Sequence, residues 1–111
     1  MDELLQKIAE FFKVLSDPTR LDILDFLKDG SKTSEQIQNE LNKSQSTISQ
    51  QLKTLIDSEL ITSEKKGIMN YYSIKFDYVF KILNFIKPFV INLQKEKVKK
   101  LAELDIRDTL L

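Results

Sequence analysis

A run of short polar side chains over residues 44–55, SQSTISQQLKTL, offers the most distinctive hydrogen-bonding chemistry in this sequence. Its apolar members are Ile48, Leu52 and Leu55, whose spacing places them on one face of an α-helix. The outward positions hold hydroxyls, amides and one lysine, and no carboxylate occurs in this run. A glutamine amide can pair with both groups on the edge of adenine, whereas a carboxylate would repel phosphate. Taken alone, such a run is typical of a solvated helix face; together with the adjacent turn, charge gap and hairpin described below, it favours a DNA-reading helix.

The residues before this run predict a second helix that would support it. Thr33 and Gln36 have the spacing of a capping box, which predicts a short helix that ends near Leu41. The tripeptide NKS then turns the chain, and Ser44 can cap the polar helix. Two short helices joined by a tight turn, the second with an exposed polar face, indicate a helix-turn-helix.

The residues after the run predict a β-hairpin. LITSE and NYYSI are strand-like and are separated by KKGIM. Gly67 is placed to adopt a positive φ, and we expect Lys65 and Lys66 at the tip of the hairpin. A two-stranded hairpin directly after a helix-turn-helix is the wing of a winged helix.

Three further helical segments flank this centre. ELLQKIAEFFKVL, from residue 3, has an apolar band too wide for one packing stripe. In SDPTRLDILDFLKDG, Asp17 is a candidate N-cap with Pro18 in the first turn, and Gly30 marks the stop. A long apolar segment from about residue 77 to 104 is expected to be helical and interrupted or kinked at Pro88. The predicted fold is mostly α: four helices, a small β-hairpin and a fifth helix, in one winged helix-turn-helix domain over residues 1–111.

Composition excludes several classes of function. The chain has 111 residues, no Cys and no His, so disulfides and thiolate or imidazole metal ligands are absent, and we expect no metal site and no cofactor. We find no catalytic constellation, because a serine nucleophile would lack a histidine base and two glycines cannot form a Gly-rich phosphate loop. No N-terminal signal segment is evident, and lysines interrupt the most apolar run, so we expect a cytoplasmic protein with no membrane partner.

Charge is unevenly distributed although the formal net charge is zero. Residues 1–42 carry five basic and nine acidic side chains, a balance of −4. Residues 43–76 carry five and three, a balance of +2, and residues 77–111 carry seven and five, also +2. The polar helix thus lies in a neutral to positive zone, as a phosphate-facing surface requires.

Two stretches resemble the ArsR-type winged-helix repressors. They are LSDPTRLDILDFL, residues 15–27, and LNKSQSTISQQLKTLIDSELITSEKKGIMNYYSI, residues 41–74. The resemblance implies a homodimeric regulator of transcription, usually a repressor, that binds double-stranded DNA and pairs through its first and last helices. Carried onto this chain, it implies that the bases are read by Gln45, Ser46, Ser49 and Gln50.

Two more sets of residues complete the predicted sites. We expect phosphate contacts from Lys43, Ser44, Thr47, Lys53, Lys65 and Lys66. We expect a dimer interface in residues 1–15 and 77–104, with Leu4, Leu5, Ile8, Phe11, Phe12, Phe85 and Phe89. Arg20 is interpreted as a structural or backbone-contacting side chain rather than a base reader. A two-fold dimer should prefer an imperfect inverted repeat.

Alternatives remain open at the level of the sequence. A winged helix can also act as a protein–protein interaction module in transcription or assembly machinery, and an apolar dimer cavity could serve a ligand-binding or enzymatic domain.

Metal-responsive relatives carry a CVC-like pair on the third helix or His and carboxylate ligands on the last. Here the third-helix region reads KTSEQIQNEL, and the last helix offers only the carboxylates Asp77, Glu96, Glu103, Asp105 and Asp108. An organic ligand, a partner protein or the abundance of the regulator itself could provide control.

Overall fold

The computed structural model describes residues 2–110, and the side chains of residues 2–104. A first compact unit ends at Phe76 and a second begins at Asp77. The first unit contains α1 (Glu3–Leu15), α2 (Pro18–Leu27), β1 (Lys32–Thr33), α3 (Ser34–Leu41), α4 (Gln45–Asp57), β2 (Ile61–Lys66) and β3 (Met69–Ile74). The second contains α5 (Tyr78–Leu110). The five predicted helices and the hairpin are confirmed in their predicted order.

Local capping determines where α2 and α3 begin. The Asp17 carboxylate accepts hydrogen bonds from the backbone N–H groups of Thr19 and Arg20, at 2.8 and 3.1 Å, and Pro18 occupies the first turn. Thr33 and Gln36 form the reciprocal pair of the predicted capping box. Because these bonds satisfy N–H groups that have no partner inside the helix, they stabilise the helix starts.

A single apolar core lies within the first unit. Its buried members are Leu15, Ile23, Leu24, Leu27, Ile37, Ile48, Leu52, Leu55, Leu60 and Ile61. Every helix of the unit and the start of β2 contribute to this core, so α4 is held by its apolar face against neighbours that come before and after it in the chain.

The predicted two-stranded hairpin is one part of a three-stranded antiparallel sheet with the order β1-β3-β2. The short β1 pairs Lys32 with Tyr72 and Thr33 with Tyr71, which the sequence analysis did not predict. The turn of the hairpin is also tighter than predicted, because Lys66 pairs with Met69 and leaves only residues 67–68 between the strands.

Of the predicted interruption or kink at Pro88, the interruption is wrong, because α5 continues through this residue. Proline removes one backbone hydrogen bond, and the intact turns on both sides carry the helix across that position. None of the helices described within residues 2–110 has the combination of length and apolar character that a membrane span requires.

Candidate nucleic-acid interface

A left-handed residue produces the turn between α3 and α4. Asn42, at φ 53° and ψ 49°, ends α3 in the conformation that short amide side chains tolerate best among residues other than glycine. The Lys43 N–H donates to the Gln38 carbonyl at 3.1 Å and satisfies an acceptor at the end of that helix. The chain therefore turns within three residues and starts α4 directly.

Ser44 caps α4, as predicted. Its Oγ accepts a hydrogen bond from the Thr47 N–H at 3.2 Å and lies 3.0 Å from the Thr47 hydroxyl, to which it can donate. The Ser46 hydroxyl lies 3.2 Å from Ser44 Oγ. The first turn of α4 thus presents a cluster of hydroxyls at the positive end of a 13-residue helix, a favourable place for an anion.

The four predicted base-reading residues share one exposed face of α4. These residues are Gln45, Ser46, Ser49 and Gln50. The opposite face is fully buried, with Ile48 and Leu55 at 0% exposure and Leu52 at 2%. Since the apolar face is held in the core, the helix cannot present any other face to a partner without unfolding the first unit.

The predicted phosphate-contacting lysines are all exposed but differ in their surroundings. The Lys53 ammonium lies 3.2 Å from the Asp57 carboxylate, one turn later on α4. Lys65 and Lys66 are paired in β2 beside the turn rather than within it, which corrects their predicted place at the tip. Lys66 Nζ lies 5.4 Å from the centre of the Tyr71 ring, so a cation–π contact restrains its side chain along the strand.

The wing turn contains one glycine in the left-handed region, as predicted. Gly67 has φ 63°, and Ile68 after it is 92% exposed. Leu60 and Ile61, at the start of β2, are buried in the same core as the apolar face of α4. The wing and α4 therefore belong to one packed unit.

Carboxylates collect away from the polar face of α4. Asp22 and Asp25 of α2, Asp29 just after it and Glu40 of α3 line a depression of about 430 Å³ that contains no residue of α4. This depression holds much of the N-terminal excess of negative charge. No carboxylate occurs on α4 before Asp57, its last residue.

The contact between Gln51 and Arg20 was not predicted, because the sequence pattern placed Gln51 among the outward amides of α4. Gln51 is half-buried, and its side-chain oxygen accepts a hydrogen bond of 3.2 Å from Arg20 Nη1. Arg20 Nε also donates to the Val14 carbonyl at 2.7 Å, so the interpretation of this arginine as structural agrees with the structure. Helical spacing could have predicted the partial burial of Gln51, because position 51 comes three residues after Ile48 and four before Leu55 and so borders the buried face.

The residues predicted for a dimer interface are largely exposed within each unit. On α1, Leu4 is 65% exposed and Phe12 52%, with Leu5 and Ile8 also exposed. Phe11 is half-buried, and its ring meets that of Phe12 edge-on with 6.1 Å between centroids. On α5, Phe85 is 87% exposed and Phe89 64%. Exposed aromatic rings in such number are typical of a surface covered by another protein chain.

The residues whose side chains are described contain no group of three or more carboxylates, Cys or His that could hold a metal ion. Asp77, Glu96 and Glu103 are among these residues, whereas the side chains of Asp105 and Asp108 lie outside the described part of the chain.

A protein-family model matches the part of the chain that contains α4. Residues 17–63 match the model of the bacterial regulatory protein, arsR family. An arsenical resistance operon repressor of Staphylococcus xylosus is 36% identical over 74 residues, which are 67% of this chain and 71% of that repressor. The transcriptional repressor SdpR of Bacillus subtilis is 38% identical over 79 residues, which are 71% of this chain and 88% of SdpR.

Solved structures show the same fold. The crystal structure of Rv0081 from M. tuberculosis superposes with a TM-score of 0.81 over 88% of this chain and 99% of that one, at 24% identity. The solution structure of Mb0332 from Mycobacterium bovis, described as a homodimeric winged helix-turn-helix DNA-binding domain, gives a TM-score of 0.73 over 84% of this chain and 86% of that one, at 26% identity.

Proposed function

Because the chain belongs to the arsR family of bacterial regulatory proteins and is a DNA-binding transcriptional regulator rather than an enzyme, we propose that α4 reads the bases of its operator. The base contacts come from Gln45, Ser46, Ser49 and Gln50. One observation carries this proposal: these four side chains are exposed together on a helix whose opposite face is buried in the core.

The chemistry of this face suits the major groove. Short side chains allow the helix backbone to come close to the base edges, and a glutamine can form two hydrogen bonds with adenine. Serine hydroxyls donate or accept and so suit several bases. The hydroxyl cluster of Ser44 and Thr47 lies at the N-terminal end of α4, where the helix dipole favours a phosphate.

The exposed lysines supply the contacts that do not depend on sequence. We propose that Lys43 and Lys53 beside α4, and Lys65 and Lys66 on the wing, meet phosphates of the DNA backbone. These contacts fix the position of the protein on the duplex. They also make its affinity sensitive to salt, because each contact releases condensed counterions.

The functional form is a homodimer of chains that each use residues 1–15 and 77–104 for pairing. The exposed apolar side chains of α1 and α5 support this arrangement, and the M. bovis relative is homodimeric. A two-fold dimer carries two recognition helices, so its operator is an imperfect inverted repeat with half-sites about one helical turn apart. Such a protein acts in the cytoplasm, where chromosomal DNA is accessible.

Repression follows from occupancy of the operator, and two relatives are named as repressors. Arsenic is named in one of those relatives, but this chain has no Cys, so a thiolate site for such an ion is absent. We propose that its control is independent of a Cys or His metal site and uses either an effector of another class, such as an organic molecule or a partner protein, or only the abundance of the regulator.

Selection from random duplex DNA tests this function directly. The purified protein is incubated with a random library, and bound duplexes are sequenced after several rounds. We expect enrichment of a site with a two-fold repeat. A protein-interaction module would enrich no sequence, and a site without two-fold symmetry would contradict the dimeric arrangement.

A further inference from the structure

The guanidinium of Arg20 joins two helices that have different proposed roles. Its Nε donates to the Val14 carbonyl in the last turn of α1, and its Nη1 donates to the Gln51 side chain on α4. We propose that Arg20 is a positioning residue for base reading, which holds α4 through Gln51 at the orientation that specific recognition requires. This inference rests on the proposed role of α4.

Arg20 is itself firmly placed. Its backbone N–H donates to the Asp17 carboxylate at 3.1 Å, so the arginine belongs to the capped first turn of α2. The contact with Val14 uses a carbonyl in the last turn of α1, where helix carbonyls lack a partner in their own helix and attract a positive charge. Two sets of bonds thus fix the base and the middle of the side chain before it reaches α4.

Gln51 lies where a contact controls the rotation of α4. It borders the buried face, on the side away from Ser46 and Ser49. With side-chain tips about 6 Å from the axis, a rotation of about 10° would move the base-reading groups by about 1 Å. Hydrogen bonds lose most of their strength over such a displacement, so a small rotation is enough to lower specificity.

Only the forked geometry of arginine serves both contacts. The guanidinium presents several N–H groups in a fixed plane, and here two of them point to acceptors on different helices. The ammonium of lysine has the same charge but is a single donor centre at the end of a flexible chain. The substitution Arg20→Lys therefore separates the charge of this residue from its geometry.

The test uses the chain of residues 1–111 and measures its affinity for a selected operator and for a random duplex at several salt concentrations. The variants are Arg20→Lys, Arg20→Ala, Gln51→Met and the pair Arg20→Ala with Gln51→Met. Gln51→Met keeps a similar volume but removes the acceptor. Gln38→Met is the matched control, because it removes a hydrogen bond of 3.0 Å to Ser34 that stays within α3. Thermal unfolding shows which variants remain folded.

We expect each single Arg20 or Gln51 variant to lose roughly 2- to 30-fold in operator affinity, with little change on random DNA and an unchanged salt slope. The double variant should lose less than the product of the single losses, because the two residues act through one bond. Gln38→Met should keep the preference for the operator.

The proposal is overturned if folded Gln51→Met discriminates operator from random DNA as well as the wild type does. It is also overturned if Arg20→Ala weakens both duplexes and lowers the salt slope, since that result assigns Arg20 to a phosphate. Rescue by Arg20→Lys would likewise show that charge alone matters. A wild type without any sequence preference would remove the proposed function and this inference together, whereas a specific wild type with indifferent variants would remove only the inference.

Discussion

Lys53 and Asp57 form an ion pair one turn apart on α4, with 3.2 Å between Nζ and the carboxylate. Their side chains are 78% and 61% exposed. An exposed pair of this kind contributes only about 0–1 kcal/mol to stability, so it can open at little cost when a phosphate approaches. The carboxylate still competes with DNA for the lysine.

The substitution Asp57→Asn should therefore strengthen binding to operator and random DNA alike, by up to about fivefold per half-site. Lys53→Ala should weaken both duplexes equally and reduce the log–log salt slope by about one unit per phosphate contact. Titrations at several salt concentrations measure both effects. Asp22→Asn, in the acidic depression, is the control for a change in net charge and should have a smaller effect. An effect of Lys53→Ala on the operator alone would argue against a phosphate contact.

The glutamines proposed to read bases should instead affect the specific operator and not random DNA. Gln45→Ala or Gln50→Ala should cost about 1–3 kcal/mol per half-site on the best operator and little on random DNA, because the lost bonds go to base edges. Competition between the two duplexes measures the loss of specificity. If Gln50→Ala weakened both duplexes equally, α4 would not be the base reader.

Dimerisation should depend on the exposed aromatic residues of α5. Phe85→Glu or Phe89→Glu places a carboxylate on the proposed interface and should give a monomer or an unfolded chain, because a charge cannot be buried there without a partner. Sizing with light scattering at micromolar concentration distinguishes these states. Asn92→Glu, also exposed on α5, should remain dimeric. A monomeric wild type would contradict the prediction.

Substitution of Gly67 should change stability through the backbone conformation of the wing turn rather than through the space around this residue. A Cβ at Gly67 would meet no atom within 4 Å, so only the positive φ of 63° resists substitution. Gly67→Val should cost about 1–2 kcal/mol and lower the melting temperature by several degrees. Gly67→Asn should cost less, because asparagine tolerates the left-handed region. Equal melting temperatures for the two variants would show that the turn adapts its conformation.

Soft metal ions should leave DNA binding nearly unchanged. Zinc, cadmium, copper or arsenite lacks the thiolate and imidazole ligands it prefers, since the chain has no Cys and no His. Operator affinity measured with and without each ion, against a chelator control, checks this. A tight, stoichiometric zinc site in calorimetry would contradict it.

Much of the fold was predictable because its signals are local. The capping groups of α2, α3 and α4 lie within three residues of their partners, as for Asp17 with Arg20 and Ser44 with Thr47. The apolar period of α4 also decides which side chains are buried, and the buried face in turn determines which polar residues are exposed together. Spacing therefore placed Gln45, Ser46, Ser49 and Gln50 among the outward residues of the run, whereas their selection as base readers came from the family resemblance.

Local signals were thus sufficient to predict the helices, the caps of α2, α3 and α4, the wing and the polar face of α4, whereas features with distant partners depend on packing. The two-residue β1 is too short for a periodic pattern and exists as a strand only because β3 pairs with it. Arg20 meets Gln51 across 31 residues of chain, so only the packing of α2 beside α4 brings the two side chains together. Short-range periodicity cannot report such contacts, because they depend on how whole elements pack.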